Sequence, residues 1–330
     1  MAEIRNATFV PNETNKNSFG GTETMARGLA NRLEVPLLQE FQIVCSRVRE
    51  LEEDKIRIFW AHDLAGDPES AFLKDPKNHD CFHLYVFVSN WQAQQYMDRY
   101  DLPWSKAAVI PNAIEPFEHL EKTSIEGPAR IVYSTTPHRG LDIAAIAIDA
   151  LSQKYDLVFD VYSSFEAYGW KERDKEYQQL FDVIAEHPNM NYHGFRPNDE
   201  VRETLKQAHC WVLPSTWRET SCISLIEAMS ANCVCVHPNY GALFETAGAY
   251  TGMYAYTENK NQHAARVAET LEQWVFKSYD KSHQLRQLAK LTADYQHSWK
   301  TVEASWTYVL EGLLENVSDR TLPRQIYKGK

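Results

Sequence analysis

The chain predicts an α/β protein built from two doubly wound halves. Short apolar runs of strand length stop at a proline or a polar loop and give way to residues at helical spacing. This pattern occupies the region before residue 115 and starts again at Ala129. Between them runs a polar stretch, Glu115 to Pro128, with Pro116, Gly127 and Pro128, which reads as a linker. A length of 330 residues suits two domains.

In the first half, residues 5–10 predict a strand, and Pro11 to Ser18 a polar loop. Gly20 and Gly21, followed by Thr22 and Glu23, form a tight turn that opens an amphipathic helix. No G-x-G-x-x-G is present, which argues against a dinucleotide oxidoreductase. Phe41 to Cys45 and Ile56 to Trp60 are buried strands, and the second runs into His62 and Asp63. His62 is either a structural histidine or a functional one at a strand's carboxyl end, and Asp63 is expected to cap the next turn. Leu84 to Val88 is a strand, followed by a helix to about Tyr100.

In the second half, Ile131 leads through Ser134 to His138-Arg139-Gly140 and a helix start. Leu157 to Tyr162 is a strand, and Asn191 to Arg196 a short strand and loop containing Phe195. The apolar run Cys210 to Leu213 is a strand stopped by Pro214. Ile223, Leu225, Ile226, Ala228 and Met229 then recur at helical spacing, with Ser215, Thr216 and Ser221 available as caps. Glu219 therefore falls on the loop beyond a strand's carboxyl end, and Glu227 on the following helix. Ligands of open α/β sheets bind there, and a helix's first N–H groups suit a phosphate. Two carboxylates beside a phosphate site make sense as acceptors of sugar hydroxyls. Taken alone, they read equally as solvated glutamates on a surface helix. From Asn261 onward the pattern is helical, and Ser298-Trp299-Lys300 introduces the last helix.

Glu219, seven residues, Glu227 and a following β-run (Cys233 to Val236) resemble the E-x7-E signature of retaining GT-B glycosyltransferases, the large family-four-like group that uses nucleotide sugars. Ile110-Pro111-Asn112-Ala113-Ile114 resembles the run that closes that family's N-domain. The resemblance implies two Rossmann-like domains facing across a cleft, 1–120 on the acceptor side and 121–296 binding the nucleotide sugar. It also implies that the 297–330 helix and tail pack back on the first domain. It assigns Gly20 and Gly21 to the donor phosphates, His62 and Glu219 to the transferred sugar, and Arg139 to the diphosphate. Thr220, Ser221, Cys222 and Ile223 would offer amides, Glu227 would hold the ribose, and Phe195 would frame the base. Gly241 would let backbone approach the ligand. The donor would be a UDP- or GDP-sugar, with no cofactor and no metal. The acceptor is a glycan, lipid, protein or small molecule. Two departures stand out: Ser134 replaces an expected arginine, and Thr220-Ser221-Cys222 replaces Gly-Phe-Gly. They keep open a non-catalytic nucleotide- or glycan-binding protein, and a sugar epimerase or phosphorylase of the same fold.

Composition narrows the remaining classes. With 44% hydrophobic and 24% charged residues the chain reads as globular. A net charge of -11 argues against an extended nucleic-acid face. Met1 to Asn6 lacks the apolar core of a signal peptide, and the longest apolar runs (Leu84 to Val88, Ile143 to Ile148) are too short to span a bilayer. Six cysteines without C-x-x-C fit reduced thiols, and a cytoplasmic location is expected. The sparse basic tail leaves peripheral membrane contact open, and oligomeric state is not read from the sequence.

Overall fold

The computed structural model describes residues 20–323. The strand expected over residues 5–10 lies outside them, as do Arg324, Lys328 and Lys330. The chain divides into two compact units. One takes in the described residues through Ala113 together with those from Trp299, and the other is Ile114–Ser298.

The first unit opens with α1 (Gly21–Ala30) and α2 (Val35–Leu38), followed by β1 (Phe41–Cys45), β2 (Ile56–Ala61) and β3 (Leu84–Phe87). α3 (Asn90–Tyr100) and β4 (Ala107–Val109) complete its first stretch. The four described strands pair in parallel in the order β1-β2-β3-β4. Phe59, Phe82 and Tyr85 pack edge-on or tilted under the sheet, with ring centroids 5.5–5.9 Å apart. α3 starts where the Ser89 hydroxyl accepts from the Gln92 N–H at 3.0 Å.

The final helix, Trp299–Asn316, belongs to this unit. Trp306 is fully buried and meets Trp60 of β2 edge-on, 4.8 Å between ring centroids. A Cβ on Gly28 would lie 2.0 Å from the Trp299 ring, so only glycine lets α1 come this close. Arg32 covers the same indole, 4.4 Å from its centroid.

The second unit runs β5 (Ala129–Tyr133), α4 (Leu141–Ser152), β6 (Leu157–Val161), α5 (Gln178–Glu186), β7 (Met190–Tyr192) and α6 (Asn198–Gln207). It continues with β8 (Cys210–Val212), α7 (Ile223–Ser230), β9 (Val234–Asn239), α8 (Leu243–Ala247), β10 (Gly252–Ala255), α9 (Lys260–Leu271) and α10 (His283–Gln296). All six strands are parallel, in the order β10-β9-β8-β5-β6-β7. Helices cover both faces of such a sheet, which is why Ile131, Val132 and Tyr133 of β5 and the whole of β8 are apolar without alternation. Ile131, Val132, Tyr133, Cys210, Trp211 and Val212 are all fully buried. The strand order reverses between β5 and β8, so their carboxyl ends flank the crevice where a ligand fits.

The expected linker is not free. The Phe117 N–H donates to Ser230 Oγ at 2.9 Å, and Asn232 Nδ2 donates to the Leu120 carbonyl at 2.9 Å. Lys122 is buried, its Nζ donating to the carbonyls of Leu205 and Ala208 at 2.8 and 2.7 Å. The polar sequence concealed this: the lysine stem buries as hydrocarbon while its head satisfies the last carbonyls of α6. Burial lowers the Lys122 pKa. The chain also enters and leaves this unit at one place, since the Ile114 N–H donates to the His297 carbonyl at 2.7 Å.

Candidate functional site

Three loops meet at the carboxyl ends of the second unit's central strands. Their approach depends on two glycines. Gly140 has φ +95°, and a Cβ there would lie 2.1 Å from the Pro214 carbonyl oxygen. Gly241 has φ +65°, and its Cβ would lie 2.6 and 2.7 Å from the backbone O and N of Glu219. Gly241 thus allows close approach to the protein's own Glu219 segment. The two residues form an isolated parallel bridge, and the Ala242 N–H donates to the Glu219 carbonyl at 2.7 Å.

This interlock places Glu219, after β8, against Arg139, after β5. Arg139 Nη1 donates to both Glu219 carboxylate oxygens, each at 2.6 Å. The side chains are 19% and 4% exposed, so the pair is largely withdrawn from water. Burial works against the guanidinium charge, and the Glu219 carboxylate overrides it, raising the Arg139 pKa above its ordinary value. The Ser215 hydroxyl steadies the loop, donating to the Trp217 carbonyl at 2.7 Å.

Buried polar atoms without a hydrogen-bond partner among the described residues gather here: Thr136 Oγ1, His138 Nδ1 and Arg139 Nε after β5, Ser163 Oγ after β6, and Ser221 Oγ after β8. Such atoms are costly unless a ligand or water completes them. α7 begins just beyond, with Cys222 at its N-cap. No side chain caps this helix, contrary to the expectation for Ser215, Thr216 and Ser221. Ser215 instead braces its own loop, and Thr216 donates to the His138 carbonyl at 2.9 Å. The Cys222 thiol is pushed up to about 12, first by burial and then by Glu219, and stays protonated.

Glu227 lies on α7, 6% exposed. Its Oε1 accepts from Asn198 Nδ2 at 3.0 Å and Arg202 Nη1 at 2.9 Å. Oε2 takes no hydrogen bond among the described residues. The sequence reading missed both partners, since nothing in the α6 pattern marks Arg202 out. Phe195 is half-buried on the loop after β7, where Gly194 has φ +65°. Ser134, where an arginine was expected, accepts from Trp211 Nε1 at 3.0 Å and is part of the packing.

The remaining residues lie in the first unit. Gly20 is the N-cap of α1 and Gly21 its first residue. His62 follows β2, its N–H donating to Ser46 Oγ at 2.8 Å and its ring centroid 4.6 Å from that of Trp60. Burial lowers its pKa to about 3, so the ring is neutral at physiological pH. Asp63 caps no helix; its N–H donates to Ser46 Oγ at 3.2 Å, while Asp67 accepts from the Glu69 N–H that follows. Burial and Asp67 raise the Asp63 pKa to about 6. Among the described residues no three His, Cys, Asp or Glu side chains are grouped to hold a metal ion. All six cysteines are free thiols, and no described helix is long and apolar enough to cross a membrane.

The profile described as "Glycosyl transferases group 1" matches residues 131–292, which contain the Arg139–Glu219 pair and Glu227. No curated protein matches the chain in sequence. A glycosyltransferase from Rickettsia africae is similar in structure, with TM-score 0.67 at 14% identity, over 92% of this chain and 84% of that one. The pneumococcal O-GlcNAc transferase GtfA, solved with UDP and GlcNAc, gives TM-score 0.60 at 13% identity over 84% of this chain. This chain covers 53% of the GtfA chain, about half its length. Anabaena HepE, solved with UDP-glucose, gives TM-score 0.60 at 14% identity, over 78% of this chain and 73% of that one. The chain has the GT-B fold, and its residues 131–292 are similar to the glycosyl transferases group 1 family.

Proposed function

We propose that the chain is a retaining glycosyltransferase that moves a sugar from a nucleotide-diphosphate sugar to an acceptor. The observation that carries the proposal is the Arg139–Glu219 pair at the sheet's switch point, ringed by unpartnered buried polar atoms. In this reading Glu227 Oε2 accepts ribose hydroxyls. The α7 N–H groups and Ser221 Oγ hold the diphosphate, as does Arg139 Nε, which is free of the pair with Glu219. Negative charge builds on the departing phosphate, and donors already in place stabilise it. Glu219 grips hydroxyls of the transferred sugar, with Arg139 linking it to the leaving group. Gly20 and Gly21 are proposed for the donor phosphates and Phe195 for the base. His62 is proposed to hydrogen-bond the sugar, for which a neutral ring is suited.

Retention would follow from front-face attack, with the departing phosphate oxygen taking the acceptor's proton. Two features support this over a protein nucleophile: both Glu219 oxygens are held by Arg139, and the Cys222 thiol stays protonated. The family resemblance implies no metal requirement, and six cysteines without C-x-x-C suit a reducing, cytoplasmic setting. UDP is the favoured nucleotide, because GtfA and HepE were solved with UDP or UDP-glucose. A melting panel with UDP, GDP, ADP and dTDP tests the donor site. A ligand at about 100 times its Kd adds about 2.7 kcal/mol. A shift for UDP that disappears in Glu227→Ala supports the assignment, and no shift with any nucleotide refutes it.

One observation favours a second reading, a nucleotide-binding protein without turnover. Ser134 is committed to Trp211, so this position supplies no second cation beside the diphosphate, and any such cation would have to come from elsewhere. That reading predicts UDP binding but no sugar transfer in wild type and Glu219→Gln alike.

A further inference from the structure

Beside the Arg139–Glu219 pair lies a cluster of aromatic groups that the donor site does not use. His138, next to Arg139, stacks on Phe165 at 5.2 Å and 14°, and Trp217, two residues before Glu219, meets His138 edge-on at 5.9 Å. Arg173 covers Phe165 at 4.2 Å and reaches Trp170 at 5.7 Å. Phe165 is buried, but Trp217 is 45% and Trp170 41% exposed. Exposed tryptophans are uncommon on a soluble surface, and both of these belong to this unit.

The loop that carries Trp170 is firmly built. The Phe165 N–H donates to Asp174 Oδ1 at 2.7 Å, Ser164 Oγ caps the Glu166 N–H at 2.9 Å, and Gly169 turns the chain at φ +74°. A fixed platform loses little freedom when a ligand settles on it. Ring faces alternate with charged side chains on this loop, with three cations (Lys171, Arg173, Lys175) against four carboxylates (Glu166, Glu172, Asp174, Glu176). That near balance suits a neutral ligand. The mixture suits a pyranose, whose C–H face lies on an aromatic ring while its hydroxyls bond at the edge. A protein or lipid partner would call for continuous apolar area instead. His138 Nδ1, buried and without a hydrogen-bond partner among the described residues, adds a polar atom to this cluster.

We propose that Trp170 and Trp217, linked through His138, Phe165 and Arg173, form an acceptor subsite for neutral sugar rings next to the Arg139–Glu219 pair. This rests on the glycosyltransferase reading and narrows the acceptor class to a glycan or glycoconjugate.

The test is binding of maltohexaose, cellohexaose and chitohexaose to the full chain by saturation-transfer NMR, with UDP affinity measured in parallel. Wild type, Trp170→Ala, Trp217→Ala and the double variant are compared. At least one hexasaccharide is expected to bind, each single variant to weaken it severalfold, and the double variant about tenfold or more. UDP affinity should stay within about twofold, which shows that the fold survives. The proposal is overturned if UDP binds and no hexasaccharide does, or if the double variant binds the sugar as well as wild type. Sugar binding that depends on the tryptophans without any UDP binding would uphold the subsite and sink the donor reading.

Discussion

Removing either member of the Arg139–Glu219 pair should do more harm than removing both. Glu219 is almost fully buried and Arg139 mostly so. In Arg139→Ala the carboxylate loses both 2.6 Å bonds and, among the described residues, keeps only Ser215 Oγ, at 3.4 Å. Stranding a buried charge costs about 3–5 kcal/mol. For a unit of this size each kcal/mol lowers Tm by roughly 2–4 °C, so a loss of about 6–20 °C is expected. Adding Glu219→Gln removes the stranded charge and should restore at least half of that loss. Glu219→Gln alone frees Arg139 and removes a negative charge beside the diphosphate site. UDP should then bind about three- to tenfold more tightly, although turnover collapses. The assays are thermal melts of the four proteins and calorimetric titration with UDP. Additive Tm losses in the double variant, or weaker UDP binding by Glu219→Gln, would refute the coupling.

Other expectations concern the supports of the two units. Gly241→Ala forces a Cβ to 2.6 Å from the Glu219 backbone, so it should lower both Tm and turnover. Gly127→Ala, at φ +80° with nothing within 4 Å, should cost only the backbone term of about 1–2 kcal/mol. Asp63 has its pKa raised to about 6 from 3.8, so the folded state holds an extra proton between those values and stability falls as pH rises through them. Asp63→Asn should therefore raise Tm at pH 7.5, by up to about 3 kcal/mol of stability, and change little at pH 4. Trp306→Ala removes the ring against Trp60 and should cost about 3–5 kcal/mol, read by denaturant unfolding.

The strands were legible because a parallel sheet covered on both faces leaves unbroken apolar runs, as in Cys210–Val212. The place of Glu219 and Glu227 was legible too, from Pro214 stopping a strand and the helical spacing after it. What the sequence concealed were contacts made across long separations. Arg139 and Glu219 read as two separate ligand contacts, and only the folded chain shows them bonded to each other. Gly28 looks like an ordinary helix residue until Trp299 arrives against it. Lys122 reads as solvated linker because its charge hides an apolar stem. Arg202 carries no local signal of its tie to Glu227. The Trp170 loop has no helical or strand period, so its platform emerges only when Asp174 ties it to Phe165 and brings Arg173 over the ring.

The most direct test of the central claim is UDP release from UDP-glucose and UDP-GlcNAc with mixed glycan acceptors, comparing wild type with Glu219→Gln. The account predicts release by wild type and a fall of about a thousandfold or more in the variant, which still binds UDP. Equal release by both proteins, or UDP binding with no release by either, would contradict it.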